Sequence, residues 1–131
     1  MPAQIPASHR DLLDSSALAN LGTVMKDGAP QVTPVWFDFD GTHLRVNSAK
    51  GRVKDLNMRR DARVGLAIVD PGNLYRYLEI RGRVAEITEQ GGAAHIDVLA
   101  KKYLGVDKYP YGLPGEVRVI YRIEPLHCAV R

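Results

Sequence analysis

Two cations, Arg52 and Lys54, stand two residues apart where a run of small and polar residues, Asn47-Ser48-Ala49-Lys50-Gly51, gives way to an expected helix. Free backbone N–H groups and the helix dipole favour an anion at such a start. Asn47 and Ser48, at the end of the preceding strand, add hydrogen-bond donors. One reading is a phosphate gripped by Ser, Arg and Lys; the other is a solvated pair of cations with Asn47-Ser48 capping the helix. Spacing alone leaves both open. Two aromatic groups also carry potential chemistry. Trp36 and Phe37 end a strand pattern, where they flank a planar ring or belong to the core. Tyr75, Arg76 and Tyr77 follow a turn, where they stack on an aromatic ligand or form a subunit contact, since Tyr and Arg are enriched at interfaces.

Other chemistries find no support. The chain has no GxGxxG or GxxxxGK[ST] loop and no GxSxG elbow. His9, His43, His95 and His127 are scattered, and no Cys/His pair has metal-ligand spacing. His127 and Cys128 are adjacent on an expected strand, so their side chains point to opposite faces. With no dyad or triad and no assignable catalytic residue, attention turns to a bound cofactor doing the chemistry.

The elements that must position these residues are mostly strands. Ser8 and Asp11 form a capping-box pattern, which predicts a short helix over residues 8–16. A strand is expected over 19–25, a turn at Lys26-Asp27-Gly28, and a second strand over 31–38, where Pro34 implies an edge position or a bulge. Asp40-Gly41 predicts a hairpin turn into a strand over 43–47. The stretch 47–69 reads as strand end, anion-holding turn, helix, then a β-rich run over 64–69. Asp70-Pro71-Gly72-Asn73 breaks the chain before a long strand over 75–88, in which Gly82 permits a bulge or a close approach. A helix is expected over 91–104, a Gly/Pro-rich loop over 105–115, a strand over 116–124 and a short final strand over 127–130. Hairpins dominate, so the sheet is expected to be largely antiparallel and to close into a small barrel.

Composition sets the outer bounds. The 131 residues, 45% hydrophobic and 25% charged, suit one ordinary globular domain, 1–131. No apolar run approaches the ~20 residues of a membrane span. The N-terminus lacks the basic and apolar regions of a signal peptide, and the lone Cys128 allows no intrachain disulfide, so a cytoplasmic protein is the expectation. The net charge of +3 conceals an asymmetry: residues 45–83 hold ten of the eighteen Lys and Arg against four acids. That concentration suits an anionic partner or a solvated basic face. Nucleic acid ranks last among such partners, because no aromatics interleave with the basic residues.

Three blocks, PQVTPVWFDFDGTHLRVNS, GRVKDLNMRRDARVGLAIVDP and NLYRYLEIRGRVAEI, resemble the split-barrel flavin and deazaflavin oxidoreductases related to pyridoxamine 5′-phosphate oxidase, and among these the F420-dependent enzymes of actinobacteria. One departure is Asp61-Ala62-Arg63, where many relatives have Asp-Pro-Arg. The resemblance implies a mainly β (α+β) homodimer of six-stranded antiparallel split barrels with flanking helices and two cofactor sites in the dimer groove. Arg52 and Lys54, helped by Asn47 and Ser48, would hold the cofactor phosphate. Pro34, Val35 and Trp36 would border the tricyclic ring, Asn57 would lie near the tail, and Tyr75, Arg76 and Tyr77 would close the site from the second subunit. Coenzyme F420 is expected over FMN, because its longer polyanionic tail suits the cations beyond Lys54, namely Lys50, Arg59, Arg60 and Arg63. The implied activity is hydride transfer from reduced F420 to a conjugated planar acceptor such as an enone or quinone. An FMN-dependent oxidase or reductase, or a non-catalytic cofactor carrier, are the alternatives.

Overall fold

A single residue, Trp36, links two strands that stand at opposite edges of one sheet. The computed structural model describes residues 2–131. Its strands are β1 (Ala19–Val24), β2 (Pro30–Val35), β3 (Phe37–Phe39), β4 (Leu44–Ala49), β5 (Arg63–Val69), β6 (Tyr77–Thr88) and β7 (Arg118–Val130). They form one antiparallel sheet in the order β2-β1-β5-β6-β7-β4-β3. Because edge strand β2 runs into edge strand β3 through Trp36, the sheet has to curl until its edges meet. The result is a split barrel with its seam at Trp36. The helices are α1 (Asp11–Asp14), α2 (Val53–Arg60) and α3 (Gly92–Leu104).

The core fills the curl. Leu21, Val35, Phe37, Leu44, Val46, Ile68, Leu78, Ile80, Val119, Tyr121 and Ile123 are all buried, so every strand contributes to the core, edge strand β2 through Val35. Each large apolar side chain removed from water in this way contributes roughly 1.5–3 kcal/mol. Pro34 lies on an edge strand, where its missing N–H costs no ladder bond. Gly82 sits at a register shift opposite Pro125, and a Cβ there would lie 2.8 Å from the Glu124 carbonyl, so the bulge and the close approach coincide.

Four expectations are corrected. There are seven strands, because the segment over 31–38 divides at Trp36 into β2 and β3. The final short strand is instead the continuation of β7, with Pro125 absorbed at the bulge. The strand over 75–88 starts at Tyr77, since the Asp70 N–H donates to the Arg76 carbonyl and holds the preceding residues in a turn. The helix over 8–16 shrinks to a 3-10 turn (Ala7–His9) and the single turn of α1. Its expected cap does not form: Ser8 Oγ bonds the His9 ring at 2.8 Å, and the Asp11 carboxylate accepts from Arg76.

Helix α3 secures the seam. The Tyr103 hydroxyl accepts from the Phe37 N–H at 3.3 Å and donates to the Ala17 carbonyl at 2.8 Å. Lys102 Nζ donates to the carbonyls of Leu13 and Phe37 and lies 4.3 Å from the centre of the Phe37 ring. Burial pushes the Tyr103 phenol up to about 12, so it stays a donor through neutral pH.

Candidate cofactor site

The turn between β4 and α2 is built for close approach. Gly51 has φ +94°, a left-handed conformation that glycine adopts without strain. The Asp55 carboxylate, in the first turn of α2, reaches back to accept the Gly51 N–H at 2.9 Å. It also accepts from Arg59 Nε at 3.0 Å and from the buried Tyr121 hydroxyl. Burial alone would raise the Asp55 carboxyl, but these donors outweigh it and hold the group ionised. Asp55 thereby fixes the path of Arg52 and Lys54 as they leave the turn. The first N–H groups of α2 have no partner within the helix, as at any helix start.

Above this turn lies a cleft of about 250 Å³. Leu18, Pro34, Val35 and Trp36 form one wall, Asn47, Ser48, Arg52 and Lys54 the floor, and Ile96, Tyr109, Tyr111 and Arg118 the remainder. The cationic end gathers Arg52, Lys54 and Arg118 against one carboxylate, Glu116, which lies 2.7 Å from Arg118 and 3.6 Å from Arg52. Lys54 has no acidic partner among the described residues. Burial lowers its pKa first, and the charges of Arg52 and Arg118 lower it further. Three cations crowded against one acid leave a local excess of positive charge. Ser48 Oγ is buried in the same cleft and has no hydrogen-bond partner. A buried hydroxyl without a partner is costly in a folded chain.

The opposite end is aromatic. Trp36 stacks on Tyr103 with ring centres 5.2 Å apart and planes within 6°, and meets Tyr109 edge-on at 5.8 Å. Tyr111 packs edge-on against Tyr109, and Arg118 lies over the Tyr109 ring at 5.1 Å. Asp97 of α3 accepts the Tyr109 N–H at 2.9 Å, tying the loop before β7 to the helix. The outer side of β2 pairs with no strand, so backbone groups beside Val35 remain available to a ligand.

Seven of the residues anticipated for cofactor binding meet in this cleft: Pro34, Val35, Trp36, Asn47, Ser48, Arg52 and Lys54. Five do not line it. Lys50 points outward to an ion pair with Glu89 at 2.9 Å. Asn57 is buried on the far side of α2, where its amide donates to Thr23 Oγ1 at 3.0 Å and to Met25 Sδ. The Arg76 guanidinium clasps Asp11, Asp70 and the Ser8 carbonyl within its own chain. Tyr75 is exposed, and the Tyr77 backbone pairs with Arg131. The cations expected to extend the anion site are engaged elsewhere: Arg59 with Asp55, Arg63 with Asp61, and Arg60 with Asn57 and the Val24 carbonyl. Arg118, Tyr109, Tyr111, Leu18 and Ile96 were not anticipated. The Tyr/Pro/Gly-rich loop over 105–115 is the sequence signal for Tyr109 and Tyr111, and Leu18, Ile96 and Arg118 lie outside it.

Comparison with known proteins agrees with this architecture. The family model described as pyridoxamine 5′-phosphate oxidase matches residues 5–128. Among solved structures, an F420 reductase superposes with a TM-score of 0.84 at 33% identity, covering 95% of this chain and 98% of that one. A conserved hypothetical protein from Mycobacterium tuberculosis gives 0.75 at 25% identity, covering 98% and 85%. HupZ from Group A Streptococcus, at 22% identity and a TM-score of 0.66 with 98% and 100% covered, shares the fold. With a split barrel whose seam opens beside an anion-seeking cleft, and a family model that spans nearly every residue, this chain belongs to the pyridoxamine 5′-phosphate oxidase family.

Proposed function

We propose that this protein is an F420-dependent reductase acting on conjugated, planar organic acceptors, and that it works as a homodimer. The observation that carries the reading is the cleft whose lining brings Ser48 together with the cations Arg52, Lys54 and Arg118, against the single carboxylate of Glu116. These are the groups a phosphodiester needs: one neutral donor and cations that neutralise it. The residues present therefore fit a phosphorylated cofactor. The preference for a deazaflavin draws on the F420 reductase that superposes over most of both chains. When bound, reduced F420 supplies a hydride, and a proton from solvent completes reduction of the acceptor.

The chain's own part is binding and orientation. Ser48 donates to a phosphate oxygen while Arg52 and Lys54 balance its charge. The backbone of β2 at Val35 and the exposed edge of Trp36 border the ring. Tyr109 and Tyr111 narrow the cleft and exclude water on the acceptor side. Tyr75 and Tyr77, too far round the barrel to line their own cleft, serve the site of the second subunit.

FMN is the second reading. Once Arg59 and Arg63 are recognised as internally paired, the cleft's cations suffice for a phosphate monoester. Titration with F420 and FMN side by side, followed by fluorescence, separates the two. The expected result is F420 binding at low-micromolar Kd or tighter, weakened by at least about tenfold in Arg52→Ala/Lys54→Ala, the loss of charge-assisted hydrogen bonds. Equal binding of F420 by parent and double variant would show the phosphate to lie elsewhere. Tight FMN binding with none to F420 would establish the second reading.

A further inference from the structure

Arg118 reaches the cleft from the last strand, and what holds it there is a polar chain that runs from β7 through β4 and helix α3 to β3. Arg118 Nε donates to Asn47 Oδ1 at 2.9 Å. Asn47 Nδ2 donates to the Gly92 carbonyl at 2.9 Å and lies 3.1 Å from His95 Nδ1. His95 Nε2 lies 3.2 Å from Asp38 Oδ1, and Asp38 accepts a forked pair from Arg45.

The direction of every bond in this chain is determined. Arg118 can only donate, so the Asn47 atom facing it is the oxygen. The Gly92 carbonyl can only accept, so the atom facing it is the amide nitrogen. The second proton of that nitrogen then points at His95 Nδ1, which has to be the bare, accepting nitrogen. The ring proton sits on Nε2 and is given to Asp38. Burial would raise the Asp38 carboxyl, yet the donors from His95 and Arg45 prevail and hold it at about 2. Asn47 thus has no donor left for a ligand. Its place in the cleft is explained by what it does to Arg118.

We propose that Arg118 is the third cation gripping the cofactor's phosphate, and that His95 is a positioning residue acting on it through Asn47. The inference rests on the phosphorylated-cofactor reading above. Three further facts support it. Arg118 depresses Lys54, so the two share one field. Glu116 at 2.7 Å and the Tyr109 ring beneath restrain the guanidinium from both sides. The backbone of Arg118 is pressed against Gly92, where a Cβ would collide with the Arg118 carbonyl. The helix that carries His95 therefore also fixes the strand position of Arg118.

The test compares ligands with and without the phosphate: F420 against its tail-less deazaflavin riboside, and FMN against riboflavin. Arg118→Ala is expected to weaken the phosphorylated ligand about tenfold to a hundredfold, the effect of a lost charge-assisted hydrogen bond, with the tail-less ligand little changed. His95→Gln, which removes the acceptor facing Asn47, is expected to weaken the phosphorylated ligand several-fold. His95→Asn, which places an oxygen near the position of Nδ1, is expected to recover most of that loss. In the Arg118→Ala background the His95→Gln effect is expected to vanish, as it must when one residue acts through the other. Thermal melts confirm that each variant is folded. Equal weakening of both ligand types, or additive effects of the two substitutions, would overturn the positioning role. Unchanged affinity in Arg118→Ala would overturn the third-cation role and with it the positioning role of His95, whereas a parent that binds neither F420 nor FMN would remove the reading beneath both.

Discussion

Ser48 is a hydroxyl that folding has buried without a bond to make. Leaving such a group unpaired costs about 1–3 kcal/mol, so its removal should not harm the fold. Ser48→Ala is expected to melt at the same temperature as the parent or higher, and to bind cofactor about threefold to tenfold more weakly, the worth of one net hydrogen bond. A lower melting temperature would mean the hydroxyl has an internal role. Ser48, Arg52 and Lys54 were legible in the sequence because they are neighbours along the chain, and a turn into a helix gathers them whatever the rest of the fold does. Arg118 was not legible for the opposite reason. It arrives at the site because β7 pairs with β4, setting Arg118 opposite Ala49, and no local pattern announces that pairing. Asn57 shows the converse error: a polar residue near the motif, yet turned by helical geometry toward β1 and away from the cleft.

Between elements, the most consequential contact ties β3 to α3. Asp38 is half-hidden at the seam and meets both His95 and Arg45. Its pKa is held at about 2 against an ordinary 3.8. A depressed carboxyl contributes stability that is fully present above about pH 4 and is lost as pH falls toward 2. A depression of that size corresponds to roughly 2 kcal/mol. Asp38→Asn is therefore expected to be less stable than the parent by about that amount at pH 7, with the gap closing between pH 4 and pH 2 in denaturant melts. A gap independent of pH would assign the loss to packing. The same seam explains why one strand was expected where two exist. Val35 and Phe37 are both buried and Trp36 lies between them, so the hydrophobic alternation runs through the break unaltered. What changes at Trp36 is the pairing partner, from β1 to β4, and alternation carries no information about partners. The N-terminal helix failed for a different reason: the side chains that would have capped it are claimed by His9 and by Arg76, whose other end lies far along the chain.

Over the whole molecule, the basic excess of residues 45–83 does not make a basic face. Arg45, Lys50, Arg59, Arg63, Arg76, Arg81 and Arg83 each meet a carboxylate, several of them from outside the segment. Arg60 meets no carboxylate among the described residues, and at the cleft Arg52, Lys54 and Arg118 share the single carboxylate of Glu116, so a charge count along the chain located the right region and overstated its extent. The same surface bears on assembly. The outer side of the sheet where β1, β2 and β5 meet is a shallow apolar depression bordered by Gly22, Val32, Gly65 and Ala67. Val32 is 62% exposed, and at the tip of the β5–β6 connection Leu74 and Tyr75 are 75% and 78% exposed. Small residues let a second sheet approach closely, and exposed apolar side chains of this size favour burial against a partner. A stable pair needs about 1,200–2,000 Å² of covered surface. Sedimentation is accordingly expected to give twice the 14.5 kDa chain mass. Val32→Lys, which places a charge in that face, is expected to yield monomers that keep the barrel's melting transition and lose cofactor affinity, because Tyr75 and Tyr77 stand outside the cofactor cleft of their own chain. A monomeric variant that binds as tightly as the parent would remove both tyrosines from the site and leave each cleft complete within one chain.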